Sequence, residues 1–189
     1  FTTFEDDIIF FLLDLDNFKR VNDQYGHVTG DRVLQEFVQR MQRMFRKSDY
    51  LVRWGGEEFV AVERFVNASS AAILAERIRE EVEANPFLVD SSTPLLLTCS
   101  IGFCCLHKSP KDKNSTWHHS FAIADASAYI VKYSGKNGWY GADHINSDLD
   151  MSDSISTQTI EKWHNVHLVE FQTSLTLEHI RWTQPNPLN

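Results

Sequence analysis

The chain has 189 residues, 42% hydrophobic and 23% charged, with a formal net charge of −8. That length suits one domain, alone or with an appendage, and is enough to bury a core. The acidic balance excludes a general nucleic-acid binder, which needs Lys and Arg against the phosphate backbone, but not a nucleotide site, where metal ions and a few local cations offset the phosphates.

No run of about 18 apolar residues occurs, so no membrane span is expected here, and no signal-peptide pattern stands at the start. The abrupt opening, FTTFEDDIIFFLLDLD, is compatible with a piece of a longer protein, membrane-tethered or not. Cys99, Cys104 and Cys105 fall within one apolar stretch without CxxC or His spacing; they read as buried thiols in a reducing compartment.

In chain order, Ile8 to Leu13 is an apolar run ending in acids, the pattern of a central strand covered on both faces. Asp16 to Tyr25 predicts a short helix. Asp31, after Gly30, opens the next helix, with Val33, Leu34, Phe37, Val38, Met41, Met44 and Phe45 at helical spacing. Tyr50 to Arg53 and Phe59 to Val62 read as strands around Gly55-Gly56, a hairpin whose turn calls for positive φ. Ser69 or Ser70 caps a helix whose stripe is Ala72, Ile73, Ala75, Ile78 and Val82, and Asn85-Pro86 breaks it.

Leu95 to Leu106 is a long β-rich run containing Gly102, and Lys108 to Thr116 a polar loop. Phe121 to Tyr133 predicts a helix stopped at Gly135, after which Trp139-Tyr140 returns to the sheet. Alternating helices and strands with one hairpin predict an α/β sandwich with a mixed sheet. From Asp148 the character changes: Asp148, Asp150 and Asp153 sit among Ser, Thr and Gln, then His and Trp follow without clear periodicity. The expected organisation is a domain over 1–147, then a linker and extension over 148–189.

Two acidic clusters carry the chemistry. Asp14 and Asp16 end a buried strand, and Glu57 and Glu58 follow the Gly-Gly turn. Carboxylates at neighbouring strand ends repel unless a cation neutralises them, and Mg²⁺ takes oxygen ligands while keeping water and substrate phosphate oxygens. Two bridged metals stabilise both attacking and leaving oxygens of an in-line displacement at phosphorus. The bland alternative is solvated acids at strand ends.

Lys132 and Lys136 lie four apart and share a face if the helix persists, suited either to phosphates or to the helix dipole. Lys19 means nothing alone; beside the acids it suits charge on a reacting phosphate. Asn22 and Asp31 flank the YGH turn: an amide and a carboxylate suit guanine, whose N1–H and N2–H a carboxylate accepts, although Asp31 reads equally as a helix cap. His27, beside Gly26, reads as a turn residue.

Together these fragments resemble the GGDEF-domain family of diguanylate cyclases. The signature loop stands as GGEEF, Gly55 to Phe59, after Arg53-Trp54; the first-strand motif as DLDNFKRVNDQYGHVTGD, Asp14 to Asp31; the SIG segment as Ser100 to Gly102; and the last-helix pattern as ADASAYIVKYSGKN, Ala124 to Asn137. The resemblance spans approximately residues 6 to 145. It implies an α+β fold like nucleotidyl cyclases and polymerase palms, with a central, largely antiparallel mixed sheet wrapped by helices.

The resemblance also implies roles. Asp14 and Glu57 hold the metals through carboxylates, Leu15 through its carbonyl, and Glu58 assists; Mg²⁺ or Mn²⁺ is expected, two per site. Glu57 promotes deprotonation of the ribose 3′-hydroxyl and Lys19 stabilises the transition state. Asn22 and Asp31 read guanine with His27 near the nucleotide, and Lys132 and Lys136 bind phosphates.

Two GTP condense to cyclic di-GMP with loss of two pyrophosphates, and because each domain supplies half a site, a homodimer is expected. Arg46-Lys47-Ser48-Asp49 matches the family's RxxD product-inhibition motif, with Arg77 its secondary arginine; a surface ion pair is the plain alternative. The location implied is cytoplasmic, free or as part of a membrane-anchored protein.

Lys136 stands where the family usually has Arg, losing the planar fork. The segment resembling LTGLxNR is absent before the first strand, so a preceding sensory or dimerising segment is expected, and nothing in the family core matches the stretch after about residue 148. Two other functions stay open: a silent module that binds cyclic di-GMP or GTP, against which Asp14, Glu57, Lys19 and Lys132 argue, and a cyclase for another nucleotide, against which Asp31 argues.

Overall fold

The computed structural model describes residues 7–90, 93–106, 116–145 and 154–184. The predicted loop from Lys108 falls outside them except for Thr116, as do Asp148, Asp150 and Asp153.

The apolar run forms β1 (Asp7–Leu15), whose alternate side chains feed two cores. Ile9, Phe11, Leu13 and Leu15 point to one face and Phe10 and Leu12 to the other, each side chain adding about 1.5–3 kcal/mol by its removal from water. The strand is therefore central. It pairs antiparallel with β3 (Glu58–Val66) on one side and β6 (Cys99–Leu106) on the other.

With β2 (Tyr50–Gly55), β7 (Gly138–Ile145) and β8 (Val169–Thr173), the sheet order is β2-β3-β1-β6-β7-β8, and only β6–β7 is parallel. A separate hairpin pairs β4 (Phe87–Leu88) with β5 (Pro94–Leu95). This is the expected largely antiparallel mixed sheet. On one face lie α2 (His27–Met44) and α3 (Ala71–Ala84), burying Val33, Phe37, Met41, Leu74 and Ile78; α4 (Trp117–Tyr133) covers the other through Ile123, Ala124, Ala128 and Val131. The short α1 (Phe18–Tyr25) follows β1 directly.

Gly102 sets how α4 lies on the sheet. A Cβ there would overlap the Ala124 carbonyl oxygen and stand 2.5 Å from the Ala128 nitrogen, both backbone atoms of α4. The helix rests on bare strand backbone at this point.

Several local expectations are revised. α2 begins at His27, because Gly26, at φ 79°, makes the break from α1, and Asp31 sits inside the helix with no capping role. The Gly55-Gly56 hairpin forms, but neither glycine takes a positive φ; a register shift between Arg53 and Gly55 absorbs the turn. Ser70 stands at the N-cap of α3 as expected but makes no side-chain capping bond; Asn67 caps the 3₁₀ turn Ala68–Ser70 before it, accepting from the Ser69 N–H. The buried stripe of α3 is Ala71, Leu74, Ala75, Ile78 and Val82, so Ile73 lies off its 3.6-residue period and is exposed.

The long β-rich run divides, β5 ending at Leu95 and β6 starting at Cys99. The three cysteines are buried free thiols.

The tail does not stay apart. α5 (Thr157–Asn165) buries Ile160 and Trp163 in the α4-side core, and β8 pairs antiparallel with β7. The Tyr140 hydroxyl and His164 Nδ1 lie 2.7 Å apart, joining β7 to α5.

Candidate active site

The end of β1 gathers the predicted acids. Asp14 faces Glu58 across the β1–β3 ladder and Ser100 across β1–β6, while the Leu15 N–H donates to the Glu57 carbonyl at 3.3 Å. Lys132, near the end of α4, places Nζ 2.6 Å from Asp14 Oδ2 and 3.8 Å from Glu58 Oε1. The pairing of β1 with β3 thus brings residues 14 and 57–58 together, and the packing of α4 adds the cation.

Asp14 is buried, and burial pushes its carboxyl up to about 6. The hydrogen bond and charge of Lys132 oppose that rise, whereas Glu57 and Glu58 add to it. For Lys132, burial lowers the ammonium, but Asp14 and Glu58 outweigh it and hold the group above its ordinary value. Asp125, also on α4, was not anticipated; burial and Glu58 raise its carboxyl, against Lys132.

Three carboxylates (Asp14, Glu57 and Glu58) against one ammonium leave negative charge in excess, and their hard oxygens suit a divalent cation. They are not preassembled around one: among the described residues, no group of three His, Cys, Asp or Glu side chains stands ready to hold a metal. The donor chemistry fits, with Lys132 standing on Asp14 meanwhile.

Between α2 and the hairpin, a cavity of about 360 Å³ is lined by Asp31, Leu34, Gln35, Val38, Gln39, Arg53 and Phe59. Arg53 donates to the Gly56 carbonyl through Nε (3.0 Å) and Nη2 (2.8 Å), bracing the hairpin that walls it. Asn22 packs against Gly30, where a Cβ would overlap its Oδ1. Lys19, His27 and Asp31 are exposed on α1 and at the start of α2.

Lys132 and Lys136 do not share a helix face. α4 ends at Tyr133, and Gly135, Lys136 and Asn137 all take positive φ (112°, 68° and 47°), turning the chain back towards β7. Lys136 still reaches the end of β1, with Nζ donating to Asn17 Oδ1 at 2.6 Å. Asp16 is occupied by neighbouring donors: its carboxylate accepts from Thr98 Oγ1, Ser100 Oγ and the Asn137 N–H.

Away from this site, Arg46-Lys47-Ser48-Asp49 forms a turn in which Asp49 Oδ2 accepts from the Arg46 N–H at 2.7 Å. Arg77 is exposed on α3. Glu63, on β3, is a buried carboxylate whose Oε2 has no hydrogen-bond partner. Burial and Asp49 raise its carboxyl, while Arg46 and Arg77 pull it down. An acid breaking the apolar run FVAV before Arg64 was the available signal.

Residues 3–138 match the family described as "Diguanylate cyclase, GGDEF domain". The chain belongs to the GGDEF family. This is a family of nucleotidyl cyclases, and its cyclases use divalent metal. The chain is similar to the diguanylate cyclase DgcP of Pseudomonas aeruginosa, 34% identical over 69% of this chain and 19% of that one. It is also similar to the response regulator PleD of Caulobacter vibrioides, 37% identical over 69% of this chain and 28% of that one. The chain therefore spans well under a third of these two relatives' length.

Among solved structures, the GGDEF domain of DgcB from Caulobacter crescentus in complex with c-di-GMP matches with a TM-score of 0.63 and 33% identity, covering 70% of this chain and 75% of that one. The active GGEEF domain of a diguanylate cyclase from Vibrio cholerae matches with a TM-score of 0.62 and 29% identity, covering 69% and 80%.

Proposed function

We propose that this GGDEF chain is the catalytic domain of a diguanylate cyclase, residues 1–147 carrying the reaction, which condenses two GTP into cyclic di-GMP and two pyrophosphates. The observation that carries the reading is the convergence of Asp14, Glu57, Glu58 and Lys132 at the end of β1, on a hairpin that also walls a cavity edged by Asp31.

The cavity receives the guanine. Asp31 accepts from its N1–H and N2–H, Asn22 supplies a further amide contact from behind Gly30, and His27 stands at the rim. Lys132 and Lys136 take the phosphates, with Lys132 leaving Asp14 as it does so. Asp14, the Leu15 carbonyl, Glu57 and Glu58 would hold Mg²⁺ or Mn²⁺, two ions per site, which when bound supply charge neutralisation at the phosphates. Glu57 takes the proton from the ribose 3′-hydroxyl, and Lys19 offsets charge on the attacked α-phosphate.

Each domain holds one nucleotide, so attack of one 3′-hydroxyl on the other α-phosphate requires a homodimer with the sites facing. Arg46, Asp49 and Arg77 form a product-inhibition site for cyclic di-GMP, supported by the charge that each of them exerts on the buried Glu63. We place the domain in the cytoplasm, where GTP is supplied, free or tethered through a preceding sensory segment. Nucleic acid is no partner of so acidic a chain.

The competing function is a silent module that binds cyclic di-GMP or GTP without turnover; the intact acids and lysines speak against it. Incubation with GTP and Mg²⁺, products resolved by chromatography, separates the two. Cyclic di-GMP and pyrophosphate should accumulate. Unchanged GTP from a preparation shown to be dimeric rejects the cyclase.

A further inference from the structure

The acid two residues beyond Asp14 stands differently from the rest. Asp16 is 2% exposed, and its carboxylate takes three neutral donors: Thr98 Oγ1 at 2.7 Å, Ser100 Oγ at 2.7 Å and the Asn137 N–H at 3.0 Å. Its own N–H donates to the Thr98 carbonyl at 2.9 Å. Three of these links tie it to the entry of β6, and the fourth reaches across to the turn after α4.

That turn needs holding. Lys136 and Asn137, neither a glycine, both occupy the left-handed region, where their Cβ crowds the backbone. The hydrogen bond from Lys136 N–H to the Val131 carbonyl, 2.9 Å, closes it on the helix side. On its outer side, Asn137 Nδ2 donates to Glu83 Oε1 at 2.7 Å and its Oδ1 accepts from Arg79 Nη1 at 3.3 Å. Arg79 is itself bound to Glu76 and Glu83, and Glu76 accepts from Trp139 Nε1 at 2.7 Å. Among the described contacts, Asp16 is the acceptor that fixes the backbone of Asn137, the residue next to Lys136.

We propose that Asp16 is a positioning residue of the reaction: it seats the turn 135–137, and through it Lys136, on the phosphate side of the site, and is not a metal ligand. This rests on the reading of Lys136 as a phosphate contact. Its three donors are what a carboxylate needs for a fixed orientation, and they account for most of its four lone-pair sites. The chemistry of Asp14, crowded by other acids and one lysine, is that of a cation seat; the chemistry of Asp16 is that of an anchor.

The test measures binding of 3′-deoxy-GTP, which lacks the attacking hydroxyl, by calorimetry at saturating Mg²⁺, together with the Mg²⁺ concentration that half-restores binding. Asp16→Ala should weaken the nucleotide about tenfold or more and leave the Mg²⁺ midpoint unmoved. Asp16→Asn, which keeps an acceptor for Asn137, should stay within about twofold on both measures. Lys136→Met should weaken binding by a similar factor, and the double variant Asp16→Ala, Lys136→Met should be no weaker than the poorer single one, since both remove one interaction.

A Mg²⁺ midpoint shifted about tenfold in Asp16→Asn makes Asp16 a metal ligand and overturns the proposal. Additive losses in the double variant overturn it as well. If Asp16→Ala fails to fold by near-ultraviolet circular dichroism, Asp16→Asn still decides. Failure of the parent protein to bind 3′-deoxy-GTP rejects the cyclase function itself, and the proposal with it.

Discussion

Gly102→Ala tests whether the strand–helix contact that carries Lys132 is as tight as the structure makes it. The new methyl carbon would stand 2.5 Å from the Ala128 nitrogen and overlap the Ala124 carbonyl oxygen. Ordinary contacts lie near ~3.5 Å, so α4 must retreat by more than about 1 Å to clear both atoms. Both obstacles are backbone and neither can rotate aside, which puts the loss at the upper end of overpacking, about 3 kcal/mol.

For a domain of this size, each kcal/mol lowers Tm by about 2–4 °C, so a fall of roughly 6–12 °C is expected by calorimetry. The displaced helix also carries Lys132 away from the place at the end of β1 from which it takes the phosphates. Cyclic di-GMP production should therefore fall even in the folded fraction well below Tm. A Tm within about 2 °C of the parent, with full activity, would show that α4 does not rest on the backbone of β6.

Glu57→Gln should lower turnover by about a hundredfold or more while leaving Tm within ~2 °C, because Glu57 is half-buried at a hairpin and is not a core residue; normal rates remove it from the mechanism. Arg46→Ala should weaken inhibition by added cyclic di-GMP about tenfold, and an inhibition curve that does not move rejects the RKSD assignment.

Glu63→Leu tests the buried, half-satisfied carboxylate. Its folded value is raised above the ordinary 4.5, so the native state holds the proton more tightly and stability falls as pH climbs from that value through the raised one. The variant should therefore melt about 2–4 °C higher than the parent at pH 8, with the gap closing as pH drops below 4.5. A gap that widens on acidification refutes the sign.

The core of the fold was legible where one strong pattern dictates one structure. Ile8 to Leu13 reads as a two-faced strand because every position is apolar, and the structure puts its alternate residues into opposite cores. The Gly-Gly hairpin was legible from composition, yet its geometry was not: a register shift, which leaves no mark in sequence, replaced the positive φ. Ile73 and Leu74 were exchanged because neighbouring apolar residues give no phase until the start of the helix is known.

The hairpin fixed where Glu57 and Glu58 sit, at the entry of β3; that they meet Asp14 depends on β1 pairing with β3, a long-range contact. The salt bridge of Lys132 to Asp14 depends on α4 lying against Gly102, a contact between segments far apart in the chain. The stop at Gly135 was legible, and with it the condition for Lys132 and Lys136 to share a face failed; that two further residues follow Gly135 into the left-handed region left no mark in the sequence. The packing of the extension was not legible because an edge strand such as β8 buries Val169 but leaves Glu170 exposed and its other residues half-buried, and so shows little periodicity.

Co-crystallisation with 3′-deoxy-GTP and Mn²⁺, located by anomalous scattering, tests the central claim most directly. Manganese should appear bridging the carboxylates of Asp14 and Glu57 and the nucleotide phosphates, with guanine in the cavity beside Asp31. Ions bound elsewhere, with those two carboxylates turned apart and Lys132 still on Asp14, would contradict it.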